Sequence, residues 1–137
     1  MLSVLKVGGS VLRDDASYAA TAGFLKGRLS EHADERLVVI VSAQYGATDA
    51  LLAEAEALTS EPEHHALDLL WCTGELRSVA LLALHLQRIG VKSGTRAVRT
   101  LSPSPRAWRN WQTRETQNLV RITPSVGSIP SSGTTAK

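Results

Sequence analysis

The apolar positions of the first ninety residues follow two different rhythms. "LSVLKV" alternates over Leu2 to Val7 and stops at Gly8-Gly9, which predicts a short strand running into a glycine turn. "DDASYAATAGFLKGRLSEHA" changes to helical spacing, with Tyr18, Ala22, Leu25 and Leu29 on one face and Asp14 or Asp15 at the N-cap. "RLVVIVSA" follows, and its unbroken, mostly β-branched run reads as a strand buried on both faces, the habit of a parallel sheet. "TDALLAEAEAL" predicts a helix started by Thr48 or Asp49. "PEHHALDLLWCTGELRSVALLALHLQRIG" predicts one long helix, or two broken near Thr73-Gly74, with Gly90 just past the end. "VKSGTRAV" opens a third strand.

The order strand, helix, strand, helix, helix predicts the α/β class, with a mainly parallel sheet and right-handed crossovers. Ligands bind such sheets at the carboxyl ends of the strands, here Gly8-Gly9-Ser10 and the stretch from Ser42 to Gly46.

Charge divides the chain. Residues 1–94 hold 8 Lys/Arg against 12 Asp/Glu and residues 95–137 hold 7 against 1, so a net −4 part is joined to a net +6 part. The second part is also rich in Ser, Thr, Arg and Pro, so the domain is expected over residues 1–94 and a poorly ordered basic tail over 95–137. Cys72 is the single cysteine, which excludes an internal disulfide framework. The four histidines show no ligand spacing with it, and no metal ligands are assigned. Neither a signal segment nor ~18 continuous apolar residues is visible, so a soluble, cytoplasmic protein without a membrane partner is expected.

Three short stretches carry candidate chemistry. In "KVGGS", Lys6 shares a strand face with Leu2 and Val4. Burying its ammonium there would demand an anionic partner, and Gly8, Gly9 and Ser10 could offer N–H and O–H groups to phosphate oxygens. Its plain alternative is a strand-end lysine reaching water beside an ordinary turn. "SAQYGATD" offers the Ser42 and Thr48 hydroxyls, or merely a helix cap at Thr48. "CTGEL" places Glu75 where a carboxylate would receive a cationic amine, or where it would only complement a helix dipole.

Taken together and in order, "KVGGS", "VVIVSAQYGATDALL" and "ALDLLWCTGELRSVALLALHLQRIGV" resemble the N-terminal part of the amino acid kinase family, most closely its aspartokinases, from about Leu2 to Lys92. The resemblance implies a three-layer α/β/α sandwich, here truncated, and transfer of the ATP γ-phosphoryl group to an aspartate carboxylate with Mg²⁺. It implies that Lys6 is catalytic and contacts the ATP phosphates with Gly8, Gly9 and Ser10. Ser42, Thr48 and Glu75 would hold the amino acid, Glu75 facing its α-amino group. Gln44-Tyr45 departs from the small residues usual there. Nucleoside and metal residues of the family lie further along than this resemblance extends, so the chain alone is expected to be inactive.

The basic segment reads differently. "WRNWQTR" at residues 108–114 resembles the conceptual translation of a bacterial leucine tRNA gene, and Gly127 to Pro130 matches its T-loop in the same frame. On this reading nucleic acid is not a partner, and small molecules and a homo-oligomer are. The rivals are a non-catalytic amino-acid-binding or dimerising module, and an RNA-binding protein that uses the arginines and tryptophans of the tail.

Overall fold

The structure, a computed structural model, describes residues 1–96 and 118–122. Strand β1 (Leu2–Val7) pairs in parallel with β2 (Arg36–Val41), with Val4 opposite Val38 and Lys6 opposite Ile40. Between them runs helix α1 (Asp15–Glu31). Its N-cap is Asp14, whose side chain accepts from Ser17 N–H at 2.8 Å while Asp14 N–H donates to Ser17 Oγ at 2.9 Å, so the cap is reciprocal. Helix α2 (Ala47–Leu58) follows, then α3 (His64–Arg88), capped by the Glu63 carboxylate, which takes the His65 and Ala66 N–H groups. Gly90, at φ 80°, ends α3 in the left-handed conformation that glycine tolerates.

Strand β3 (Ser93–Arg96) crosses the composition boundary at Gly94, and β4 (Asn118–Ile122) comes from within the basic segment. The sheet order is β1-β2-β4-β3, and β4 is antiparallel to both of its neighbours. The α/β class is as expected; among the described residues the parallel pairing is that of β1 with β2, and the two antiparallel pairings of β4 make this part of the sheet mixed. Five residues of the basic segment form this strand. "NLVRI" concentrates apolar and β-branched residues, a composition that suits a pleated strand despite its basic surroundings. Residues 97–117 and 123–137, including both tryptophans of the tail, lie outside the described residues.

The core sits on one face of the sheet. Leu37, Val39 and Val41 of β2 meet Tyr18, Ala22 and Leu25 of α1 and Val79, Leu82 and Leu86 of α3, with Leu5 and Val7 packed against them. Helix α2 lies against α3. The other face is open: Leu2 and Val4 are 62% and 60% exposed, and Val38 and Ile40 are only half-buried. The expectation that β2 is buried on both faces is thus met on one side alone, because the described helices form one layer. By length and composition α3 could also cross a membrane, but its Val79, Leu82 and Leu86 stripe belongs to this core.

Two polar clusters lock the core. Tyr18 donates its hydroxyl proton to Ser78 Oγ at 2.8 Å, both residues being buried. The Tyr18 ring stacks on His85 with centroids 6.0 Å apart, and His85 Nε2 lies 3.0 Å from Asp15 Oδ1. At the opposite end of the strands, buried Glu35 takes two hydrogen bonds from Arg28, at 2.7 and 2.8 Å, and a third from Ser3 Oγ. These bonds stabilise the carboxylate form and hold Glu35 down to about 2, the Arg28 bond contributing most and Ser3 next.

Candidate active site

At the end of β1 the chain turns through Gly8, Gly9 and Ser10. Val11 N–H donates to Gly8 O at 3.0 Å and Leu12 N–H to Gly9 O at 3.1 Å. These bonds use the carbonyls of the two glycines as acceptors. Ser42 N–H donates to Val7 O at 3.1 Å and Tyr45 N–H to Leu12 O at 2.9 Å, so the loop after β2 lies directly against the turn.

The approach is closest at Gly9. A Cβ there would stand 2.6 Å from Ala43 O, nearer than a carbon and a backbone oxygen can come without displacement. From the other side, a Cβ at Gly74 would meet Leu51 Cδ1 at 3.2 Å and Ala43 Cβ at 3.3 Å. Gly74 is buried within α3, a position where glycine costs about 1 kcal/mol of helix stability relative to alanine. Its packing explains its presence. All three sequence motifs therefore meet at Ala43: the glycine turn in front, α2 and its loop around it, and the middle of α3 behind.

The side chains assigned from the sequence fall on this frame as follows. Lys6 stands near the end of β1 on the exposed face it shares with Leu2 and Val4, so the burial expected for its ammonium is not found. Ser10 is exposed at the turn, and Ser42 is half-buried where β2 ends. Thr48 lies inside the first turn of α2, one residue after Ala47. The N-cap is Gly46, at φ 75° and without a side-chain cap bond, so neither Thr48 nor Asp49 caps the helix. Glu75 is half-buried in the middle of α3, because that helix is continuous through Thr73-Gly74. Its carboxylate is remote from any helix N-terminus, which removes the dipole explanation. The cap reading of Thr48 and the dipole reading of Glu75 are thus not met.

Sequence reasoning missed the polar residues that join these parts. Gln44 Nε2 donates to Arg13 O at 2.6 Å, and Gln44 Oε1 accepts from Arg77 Nη1 at 2.5 Å. Arg13 Nε donates to Ser10 O at 3.0 Å, and the Arg13 guanidinium lies 5.1 Å from the Tyr45 ring centroid. The signal available in the sequence was the presence of Gln44-Tyr45 where small residues were expected.

Among the described residues, no group of three or more His, Cys, Asp or Glu could hold a metal ion. The described residues form no cage for Mg²⁺. At the glycine turn both carbonyls accept hydrogen bonds, Gly8 and Gly9 are half-buried and Ser10 is exposed.

A β-strand, a glycine turn, a second parallel strand and a helix closing on the same loop make one α/β frame, and the amino acid kinase family model matches residues 1–130. The chain belongs to that family. It is similar to the aspartokinase of Thermus thermophilus, 46% identical over 56 residues that cover 41% of this chain, and to aspartokinase 2 of Bacillus subtilis, 38% identical over 55 residues that cover 40%. The matched stretch spans 14% of the length of each. The crystal structure of aspartate kinase from Synechocystis superposes with a TM-score of 0.62 at 36% identity, over 66% of this chain and 15% of that one. The family match continues past Lys92, where the motif resemblance ends.

Proposed function

We propose that this chain carries the phosphate-binding turn and the amino acid contacts of an aspartokinase, an enzyme that transfers the ATP γ-phosphoryl group to the side-chain carboxylate of L-aspartate to give 4-phospho-L-aspartate. The observation that carries this reading is the meeting of the three motifs at Ala43, which sets the turn after β1 against the loop of Ser42 and Thr48 and the helix of Glu75. Transfer of a phosphoryl group needs charge neutralisation and in-line placement more than covalent help. Lys6, with the N–H groups of Gly8 and Gly9 and the Ser10 hydroxyl, would hold the ATP phosphates. Ser42 and Thr48 would hold aspartate by hydrogen bonds, and the Glu75 carboxylate would receive its α-ammonium group. Mg²⁺ would arrive on the phosphates of ATP.

Because the match covers 14% of the relatives' length, the chain alone is proposed to bind without turning over. With MgATP, L-aspartate and hydroxylamine, it is expected to give no aspartyl hydroxamate. Equilibrium dialysis is expected to show saturable L-aspartate binding that Glu75→Gln abolishes. Binding indifferent to Glu75→Gln, or none at all, would contradict the assignment.

A further inference from the structure

We propose that Gln44 is a positioning residue that ties the phosphate turn to α3 in one fixed frame, an inference that rests on the phosphate-binding reading of that turn. The amide of Gln44 is half-buried and satisfied at both ends by groups 31 and 33 residues distant. Its orientation is set by its partners: a flipped amide would aim N–H at a guanidinium and oxygen at a carbonyl. Toward the turn, Gln44 grips Arg13 O, and the same Arg13 holds Ser10 O through Nε and leans on the Tyr45 ring. Toward the helix, it accepts from Arg77, two residues beyond Glu75 and three beyond Gly74. A continuous relay therefore runs from Ser10 through Arg13 and Gln44 to Arg77.

This relay links the two halves of the site that the backbone only brings into contact. Packing at Ala43 stops the turn, loop and helix from moving closer, and the relay stops them from moving apart. Arg77 gives it strength, because a hydrogen bond from a charged donor is roughly twice as strong as a neutral one. Gln44 orients Arg77 by accepting from its guanidinium and braces Arg13 by donating to its carbonyl.

The test compares wild type, Gln44→Met and Gln44→Glu in the full chain by NMR, reading amide exchange at Leu12 and Tyr45 and titrating with inorganic tripolyphosphate. Gln44→Met keeps similar bulk and loses both bonds. It is expected to speed exchange at both amides at least about tenfold, the scale of one charge-assisted hydrogen bond, and to weaken tripolyphosphate binding by a similar factor. Gln44→Glu keeps the acceptor for Arg77 but sets a carboxylate against Arg13 O at neutral pH. Protonation restores an O–H donor, so its exchange is expected to return toward the wild-type rate, measured alongside, as pH falls through and below about 4. A side chain that only filled space would show no such pH-dependent recovery. Exchange unchanged in Gln44→Met, or a Gln44→Glu to wild-type ratio that is constant with pH, would overturn the proposal. If tripolyphosphate does not bind wild type while the exchange pattern holds, the phosphate reading fails and the positioning role of Gln44 stands.

Discussion

Gly9→Ala isolates the contact on which the site is built. The added Cβ would lie 2.6 Å from Ala43 O, and the next atoms, Ala43 C and Tyr45 N, stand at 3.8 Å, so the conflict is with backbone and no side chain can swing away. An ordinary carbon–oxygen contact is about 3.3 Å, so the turn and the loop must part by several tenths of an ångström. Overpacking of this kind costs about 1–3 kcal/mol. Gly8→Ala is the internal control: its Cβ would meet nothing nearer than Ser10 Oγ at 3.9 Å, and neither glycine has a positive φ. Backbone strain is therefore equal in the two variants and only the contact differs. Thermal unfolding followed by circular dichroism at 222 nm is the assay, and each kcal/mol is worth roughly 4–8 °C in a domain of this size. Gly9→Ala is expected to melt several degrees below Gly8→Ala. Equal melting temperatures, or the reverse order, would show that the turn does not close on Ala43 and would remove the frame from which the site is argued.

Leu82→Ala, at a wholly buried position of α3, is expected to cost about 2–5 kcal/mol in urea unfolding. Tyr18→Phe leaves the buried Ser78 hydroxyl without its donor and is expected to cost about 1–3 kcal/mol, part of which Ser78→Ala should recover in the double variant. Glu35 is depressed in the folded protein, so its contribution is full above the ordinary carboxylate range and is lost as pH falls from there toward about 2. Glu35→Gln should flatten the stability profile over that window, and an unchanged acid limb would contradict the Arg28 and Ser3 bonding. Lys6→Ala is expected to weaken ATP binding while moving the melting temperature by no more than about 2–4 °C, the range of an exposed substitution.

The elements that depended on local rules were legible in the sequence. Strand β1 runs from Leu2 to Val7 as its alternation predicts, and Asp14 caps α1 through the Ser17 three residues on. Gly74 was harder, because glycine in a helical pattern suggests a break when only neighbours in sequence are considered. Its reason is a contact with Leu51 and Ala43, which sequence periodicity does not contain. Gly46 took the cap position from Thr48 for a related reason: the loop enters α2 through a left-handed residue. The basic composition of the tail concealed β4, whose five residues are apolar enough to pair although their surroundings are not. Glu35 and His85 are also tertiary facts. One is an anion made cheap to bury by Arg28 seven residues back, and the other is a histidine placed by a stacking tyrosine sixty-seven residues away. The candidate site stands between these cases. Its residue types could be named from the motifs, but the reason they share one place lies in the close packing of Gly9 and Gly74 on Ala43.

The most direct test of the central claim, that three separated motifs form one site for a nucleotide and an amino acid, is residue-resolved NMR of the isotopically labelled chain. MgATP is expected to shift the amides of Gly8, Gly9 and Ser10. L-Aspartate is expected to shift those of Ser42, Thr48 and Glu75, with each ligand altering the response to the other. Shifts confined to other parts of the chain, or saturable binding of both ligands without any change at these six amides, would contradict the account.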